Sequence, residues 1–279
     1  MTIKTIPLYQ VDAFTATAFK GNPAAVCLLD EPLPDALMAS IALEMNLSET
    51  AFVRRLADAP WADCTRFSLR WFTPATEVRL CGHATLGTAA ALFMEVGVRA
   101  DAVTFETLSG DLIARRSAEG IVLDFPRNQV IPCAAPEDVL ATLGVTAAVE
   151  AARGDKSRSL LLRLADAATV RALRPDFTAL VNAPGMTGYR GLMVTAAGDP
   201  PYDFTSRYFG PWVGINEDPV TGSAHTLLTP YWAERLGKSE MRAYQASARG
   251  GELTVRLAGA DRVELVGQAV VVLQGALRL

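Results

Sequence analysis

Two kinds of hydrophobic pattern alternate along this chain. Short stretches repeat with a period of two, as where Phe67, Leu69 and Trp71 are set against Ser68 and Arg70, and these predict strands. Strands are also predicted over Leu8–Phe14, Ala24–Leu29, Thr50–Leu56, Val103–Leu108, Leu112–Arg116 and Ile121–Phe125. Turn residues such as Gly21-Asn22-Pro23 and Ser109-Gly110-Asp111 punctuate them. Other stretches have a helical period. Leu37, Ile41 and Met45 recur every fourth residue behind Pro34-Asp35, and Asn46 and Ser48 break that helix. Glu49 therefore falls at a helix-to-strand junction. From Gly82 to Val96 the chain is apolar nearly all round, with Ala84, Leu86, Ala89, Leu92 and Phe93, which predicts a helix enclosed by other elements.

The second half repeats this arrangement. A short helix, Glu137–Leu143, precedes strands near Ser159–Leu164, Tyr189–Thr195 and Tyr202–Tyr208. A second apolar helix opens at Gly222 and runs toward Leu236, with Pro230 inside it predicting a kink or an early break. Hairpin-like strands follow at Met241–Ala246, Leu253–Leu257, Arg262–Val266 and Ala269–Leu273. The expected fold class is α+β, as two related halves in which mostly antiparallel strands surround one buried helix. The halves are expected to be residues 1–126, with central helix 82–96, and 127–267, with central helix 222–236. The last strand, about 268–279, crosses back to the first half.

Composition narrows the function. Of 279 residues half are hydrophobic and a fifth charged, with a net charge of -4, which is ordinary for a globular protein. No Lys/Arg-rich run suggests nucleic acid. Met1–Gln10 lacks the charged-then-apolar order of a secretory leader, and no apolar run has the length of a membrane span, so a cytoplasmic protein is expected. Cys27, Cys64, Cys81 and Cys133 are scattered, and the only histidines are His83 and His225, so neither a disulfide framework nor a metal site is expected. Both histidines lie just inside the glycine-started helices, where N–H groups and the positive dipole end favour anions.

Four segments carry a resemblance to a known family. They are Val11-Asp12-Ala13-Phe14 with Gly21-Asn22-Pro23-Ala24-Ala25-Val26; Glu44-Met45-Asn46-Leu47-Ser48-Glu49-Thr50; Phe72-Thr73-Pro74 with Glu77 and Cys81-Gly82-His83-Ala84-Thr85; and Glu217-Asp218-Pro219-Val220-Thr221-Gly222-Ser223-Ala224-His225. In this order and spacing the chain resembles the PhzF-like isomerases of phenazine biosynthesis, which share the diaminopimelate epimerase fold. The resemblance implies two pseudo-symmetric halves, each a mixed, mostly antiparallel sheet curled around a central helix, with a site in the cleft between them. It also implies a homodimer and a cofactor-independent isomerase that moves a proton within a small carboxylate-bearing substrate.

Residue by residue, the resemblance makes Glu49 the acid/base group, His83 a relay or substrate contact, and Asp218 a substrate contact or relay partner. Gly82, Gly222 and Ser223 would hold a substrate carboxylate, and Asn22 and Thr73 would also meet the substrate, within walls that include Asp12, Phe72 and Tyr208. Glu44 is expected to face solvent and His225 to pack. The helix dipole is expected to lower the pKa of His83 and keep its ring neutral. Cys81 stands where related two-cysteine epimerases carry one thiol, but no cysteine follows Cys133 to supply the second. An epimerase or racemase using Cys81, and a non-catalytic small-molecule binding protein, remain the alternatives. No glycine fingerprint for a dinucleotide is present.

Overall fold

In the computed structural model, which describes residues 5–279, the chain forms two compact units. One runs to Asp124 and is completed by Leu265–Leu279; the other is Phe125–Glu264. Met1–Lys4, part of the stretch read for a leader, lie outside the described residues.

The first unit comprises β1 (Thr5–Ala13), β2 (Asn22–Leu29), α1 (Asp35–Met45), β3 (Glu49–Arg55), β4 (Arg66–Phe72), β5 (Glu77–Val78), α2 (Gly82–Ala90), β6 (Ala102–Thr107), β7 (Gly110–Ser117) and β8 (Gly120–Pro126). The second holds β9 (Val130–Cys133), α3 (Glu137–Leu143), β10 (Glu150–Gly154), β11 (Ser159–Arg163), α4 (Ala167–Ala172), α5 (Phe177–Val181), β12 (Gly191–Ala197), β13 (Phe204–Gly210), β14 (Ile215–Asp218), α6 (Gly222–Leu236), β15 (Glu240–Gln245) and β16 (Gly251–Ala258). The chain then passes through β17 (Arg262–Gly267) to β18 (Ala269–Arg278), which pairs antiparallel with β1 in the first unit.

Strand pairing shows that the two units are repeats. In the first, β1 and β2 are antiparallel, β2 and β3 parallel, β3 and β4 antiparallel, β5 folds back on β4, β4 and β6 are parallel, and β6 and β7 antiparallel. The second repeats this sequence with β10 to β16. Each parallel step needs a crossover: α1 bridges β2 to β3, and α4 with α5 bridge β11 to β12. The repeat reaches individual side chains. Arg70 grips Glu77 through two bonds of 2.7 and 2.8 Å and lies over the Phe72 ring; Arg207 grips Glu217 at 2.6 and 2.9 Å and lies over Phe209.

Each unit encloses one apolar helix. His83–Ala90 of α2 are all buried, and the helix lies against β1, β2, β3 and β18. Beyond Ala90 the winding loosens into one π turn, Ala91–Glu95, where the Val96 N–H reaches back to the Ala91 carbonyl. In α6 the residues from Ala224 to Ala233 are buried. Pro230 neither breaks nor ends this helix, contrary to the sequence expectation. The Thr226 carbonyl, which proline has no N–H to satisfy, accepts the Asn128 N–H at 3.3 Å instead. The core around α6 includes a stack of His225, Phe204 and Trp232. No helix among the described residues is long and apolar enough to cross a membrane.

Candidate functional site

α1 ends at Asn46, whose left-handed backbone (φ 49°) reverses the chain and makes Glu49 the first residue of β3, in register with Ala24. Cys81 precedes α2 in extended conformation and His83 is the second helical residue. These turns bring four side chains together. His83 Nε2 lies 3.1 Å from Glu49 Oε2. That is ion-pair distance, although the angle at these two buried atoms falls short of a hydrogen bond. On the other side of the ring, Nδ1 has Asn22 Nδ2 at 3.1 Å and Cys81 Sγ at 3.6 Å. His83 is 4% exposed and Asn22 not at all.

Burial alone would push the His83 pKa down. The Cys81 sulfur and the Glu49 carboxylate, both against the ring, outweigh burial and hold its pKa well above the ordinary histidine value. This corrects the expectation of a dipole-lowered pKa: the partial charge of a helix end acts weakly beside a carboxylate at 3.1 Å. Burial, reinforced by the charge of Glu49, pushes the Cys81 thiol up to about 11. The thiol is therefore neutral near pH 7. Asn22 Nδ2 can donate to Nδ1 only in the neutral ring that carries its proton on Nε2; the doubly protonated ring requires the amide turned to present Oδ1. A carboxylate oxygen, the thiol sulfur and an imidazole nitrogen of this group lie within 4.8 Å of one another, a mixed donor set. The positive end of α2 disfavours a cation there.

In the second unit Asp218 ends β14, opposite Tyr208 of β13, and Thr221 precedes α6. Thr221 Oγ1 donates to Asp218 Oδ2 at 2.5 Å. Gln245, at the end of β15 and fully buried, ties this turn together. Its Oε1 accepts the Thr221 N–H at 2.9 Å, and its Nε2 donates to the Asp218 carbonyl at 2.7 Å and to Thr221 Oγ1 at 3.1 Å. The sequence carried no signal for Gln245, which reads as one polar residue in a strand. Ser223 is exposed in the first turn of α6, behind the buried Gly222. Neither α2 nor α6 has a side-chain cap, so first-turn N–H groups at both helix starts can meet an anion.

The repeat is unequal at one position. Ala24 pairs with Glu49 in the first unit, and Ser159 pairs with Gly191 at the matching place in the second. A Cβ added at Gly191 would lie 2.1 Å from the Tyr208 hydroxyl. Tyr208 thus fills the space of the missing side chain. Burial raises its pKa, partly countered by a hydrogen bond with Ser159, and the nearby Asp218 charge raises it further.

The remaining sequence candidates serve local structure. The Thr73 hydroxyl closes its own turn, accepting from Ala75 and Thr76 N–H and donating to the Thr76 carbonyl. Asp12 is buried and accepts the Phe19 N–H at 2.6 Å. Phe72 packs edge-on to Phe52 in the core beneath α1. Glu44 is exposed. His225 is buried and its Nδ1 donates to the Thr221 carbonyl at 2.8 Å.

Residues 11–275 match the model of the family described as phenazine biosynthesis-like protein. A mouse (Mus musculus) phenazine biosynthesis-like domain-containing protein is 49% identical, the match covering 98% of this chain and 99% of the relative. An uncharacterized isomerase of Pseudomonas aeruginosa is 46% identical over the same shares. The crystal structure of a PhzF-family protein from Enterococcus faecalis superposes with a TM-score of 0.91 at 43% identity, covering 99% of this chain and all of that one.

Proposed function

The chain belongs to the phenazine biosynthesis-like protein family and is an isomerase, and from this premise we propose that it moves a proton within a small carboxylate-bearing substrate, without a cofactor, with Glu49 as the acid/base group. The observation that carries the reading is the Glu49 carboxylate held against His83 Nε2 at the uncapped start of α2. Glu49 would take a proton from a carbon beside a carboxylate-activated or conjugated position and return it to another carbon of the same molecule. One C–H bond breaks, another forms, and the double bond shifts without net oxidation. His83 would steady the changing charge on Glu49 by hydrogen bonding to it. The N–H groups at Gly82 and Gly222 and the Ser223 hydroxyl suit a carboxylate, and Asp218 suits a hydrogen-bond donor on the substrate.

A thiol-based racemase is less well supported. With its pKa at about 11, the Cys81 thiol yields little thiolate at neutral pH, and the chain has no cysteine beyond Cys133 to serve as a second.

The test is solvent exchange. A panel of small β,γ-unsaturated carboxylic acids is incubated with the enzyme in D2O and followed by proton NMR. Wild-type enzyme should exchange and isomerise one class, and Glu49→Gln should lower that rate at least about 100-fold, the scale of a lost general base. Exchange at the wild-type rate in a folded Glu49→Gln protein would overturn the assignment. Acids that bind to the wild type yet never exchange would point to a binding protein.

A further inference from the structure

We propose that Gln245 and Thr221 are positioning residues that hold Asp218 as an ionised hydrogen-bond acceptor. The orientation of the Gln245 amide is not interchangeable here. Its oxygen faces a backbone N–H (Thr221, 2.9 Å) and its nitrogen faces a backbone carbonyl (Asp218, 2.7 Å), and neither main-chain group can reverse its role. The remaining Nε2 proton must therefore go to Thr221 Oγ1, 3.1 Å away. A threonine hydroxyl has one proton, so with its oxygen already accepting from Gln245 that proton is directed to Asp218 Oδ2, 2.5 Å away.

The chain of donors runs one way, from Gln245 through Thr221 to Asp218, and it ends on Oδ2 as an acceptor. A neutral Asp218 carrying its proton on Oδ2 would set two O–H donors against each other. Full burial of Gln245 keeps water from substituting at its own amide, and the half-buried Asp218 is the end of the chain that meets solvent. The arrangement favours the anion by the third of the usual causes of a pKa shift, hydrogen bonding to the charged form. Two titratable residues flank it on its own and the adjoining strand. Tyr208 lies opposite on β13, and Glu217 next along β14 is engaged by Arg207.

Any role of Asp218 toward a substrate rests on the isomerase reading above, whereas its charge state does not, and the experiment separates the two. Carboxyl resonances are recorded on protein carrying 13C at aspartate side chains, with Asp218→Asn identifying the signal. The apparent pKa of Asp218 is then followed in wild type, Thr221→Ser, Thr221→Val and Gln245→Leu, and folding is checked by melting temperature. Thr221→Ser keeps the hydroxyl and should titrate as wild type, and Thr221→Val should titrate about one unit higher. Gln245→Leu should also move upward, because the hydroxyl can then turn away; if that variant does not fold, the two threonine variants decide alone. Equal Asp218 titration in Thr221→Ser and folded Thr221→Val would overturn the proposal. A shift in Thr221→Val alongside full activity in Glu49→Gln would leave this inference standing and remove the isomerase mechanism.

Discussion

His225 should make the protein acid-sensitive by a predictable amount. The ring is fully buried in the first turn of α6, stacked on Phe204, and no charged partner compensates it. Burial lowers its pKa from 6.5 to about 4, with the Thr221 carbonyl opposing only weakly. In the window between these values the unfolded chain binds a proton that the folded protein refuses. The stability involved is therefore complete above pH 6.5, falls as the pH drops, and is lost below about pH 4. The full difference of 2.5 units is worth about 3 kcal/mol at ~1.36 kcal/mol per unit, and about 2 kcal/mol of it should be gone by pH 5. His83 has the opposite sign. Its raised pKa adds stability that is present below pH 6.5 and disappears as the pH climbs through the folded value, so it does not contaminate the acid window. The assay is urea unfolding at pH 8, 7, 6, 5 and 4.5, followed by far-UV circular dichroism and by the tryptophan fluorescence to which Trp232, stacked in the same cluster, contributes. His225→Asn, which keeps a donor near Nδ1 and does not titrate, should have lower stability at pH 8 but a flatter pH curve. The difference between the two proteins cancels the carboxylates common to both. If the two curves run parallel from pH 8 to 4.5, the histidine is not a buried neutral ring and the reasoning fails.

Two other outcomes follow from the same geometry. Glu217→Ala leaves the Arg207 guanidinium, whose side chain is 8% exposed, without its counter-charge, and should cost about 3–5 kcal/mol in urea unfolding. Its repeat counterpart Glu77→Ala should cost clearly less, because Arg70 is 29% exposed and keeps Asp35 at 2.7 Å; equal losses would contradict this. Iodoacetamide at pH 8 should modify the part-exposed Cys133 well before Cys81, whose thiol is buried and at about 11; peptide mass spectrometry showing Cys81 as the first site would refute that assignment.

Features written in local pattern were legible in the sequence; features made by distant contacts were not. Gly82 and Gly222, each followed by small apolar residues, marked both enclosed helices, and α6 ends at Leu236 as its pattern indicates. Asn46 marked the junction that sets Glu49 at the head of β3. Pro230 misled, because the group that rescues its helix is the N–H of Asn128, a hundred residues earlier in the chain. The π turn after Ala90 is invisible in composition, since Ala91–Glu95 would suit an α-helix equally well. The placing of Asn22 against His83 Nδ1 could not be read from its motif, because it depends on β2 and α2 meeting in space. Gln245 was missed for the same reason: its partners lie on another strand end and a helix start.

Gly191 bears on the history of the molecule. Two units built from one pattern of strands imply a duplicated ancestor, and such an ancestor began with the same residue at both matching positions. Today one copy has Glu49 there and the other has Gly191 under the Tyr208 hydroxyl. Returning a carboxylate to the second copy by a single substitution would drive its first side-chain carbon into that tyrosine, 2.1 Å away. Tyr208, half-buried on β13, would have to swing aside or shrink as well, and shrinking it alone would leave an unfilled hole with nothing gained. The path back to a symmetric enzyme therefore needs two residues to give way rather than one, and Tyr208 guards the loss of symmetry in the second copy.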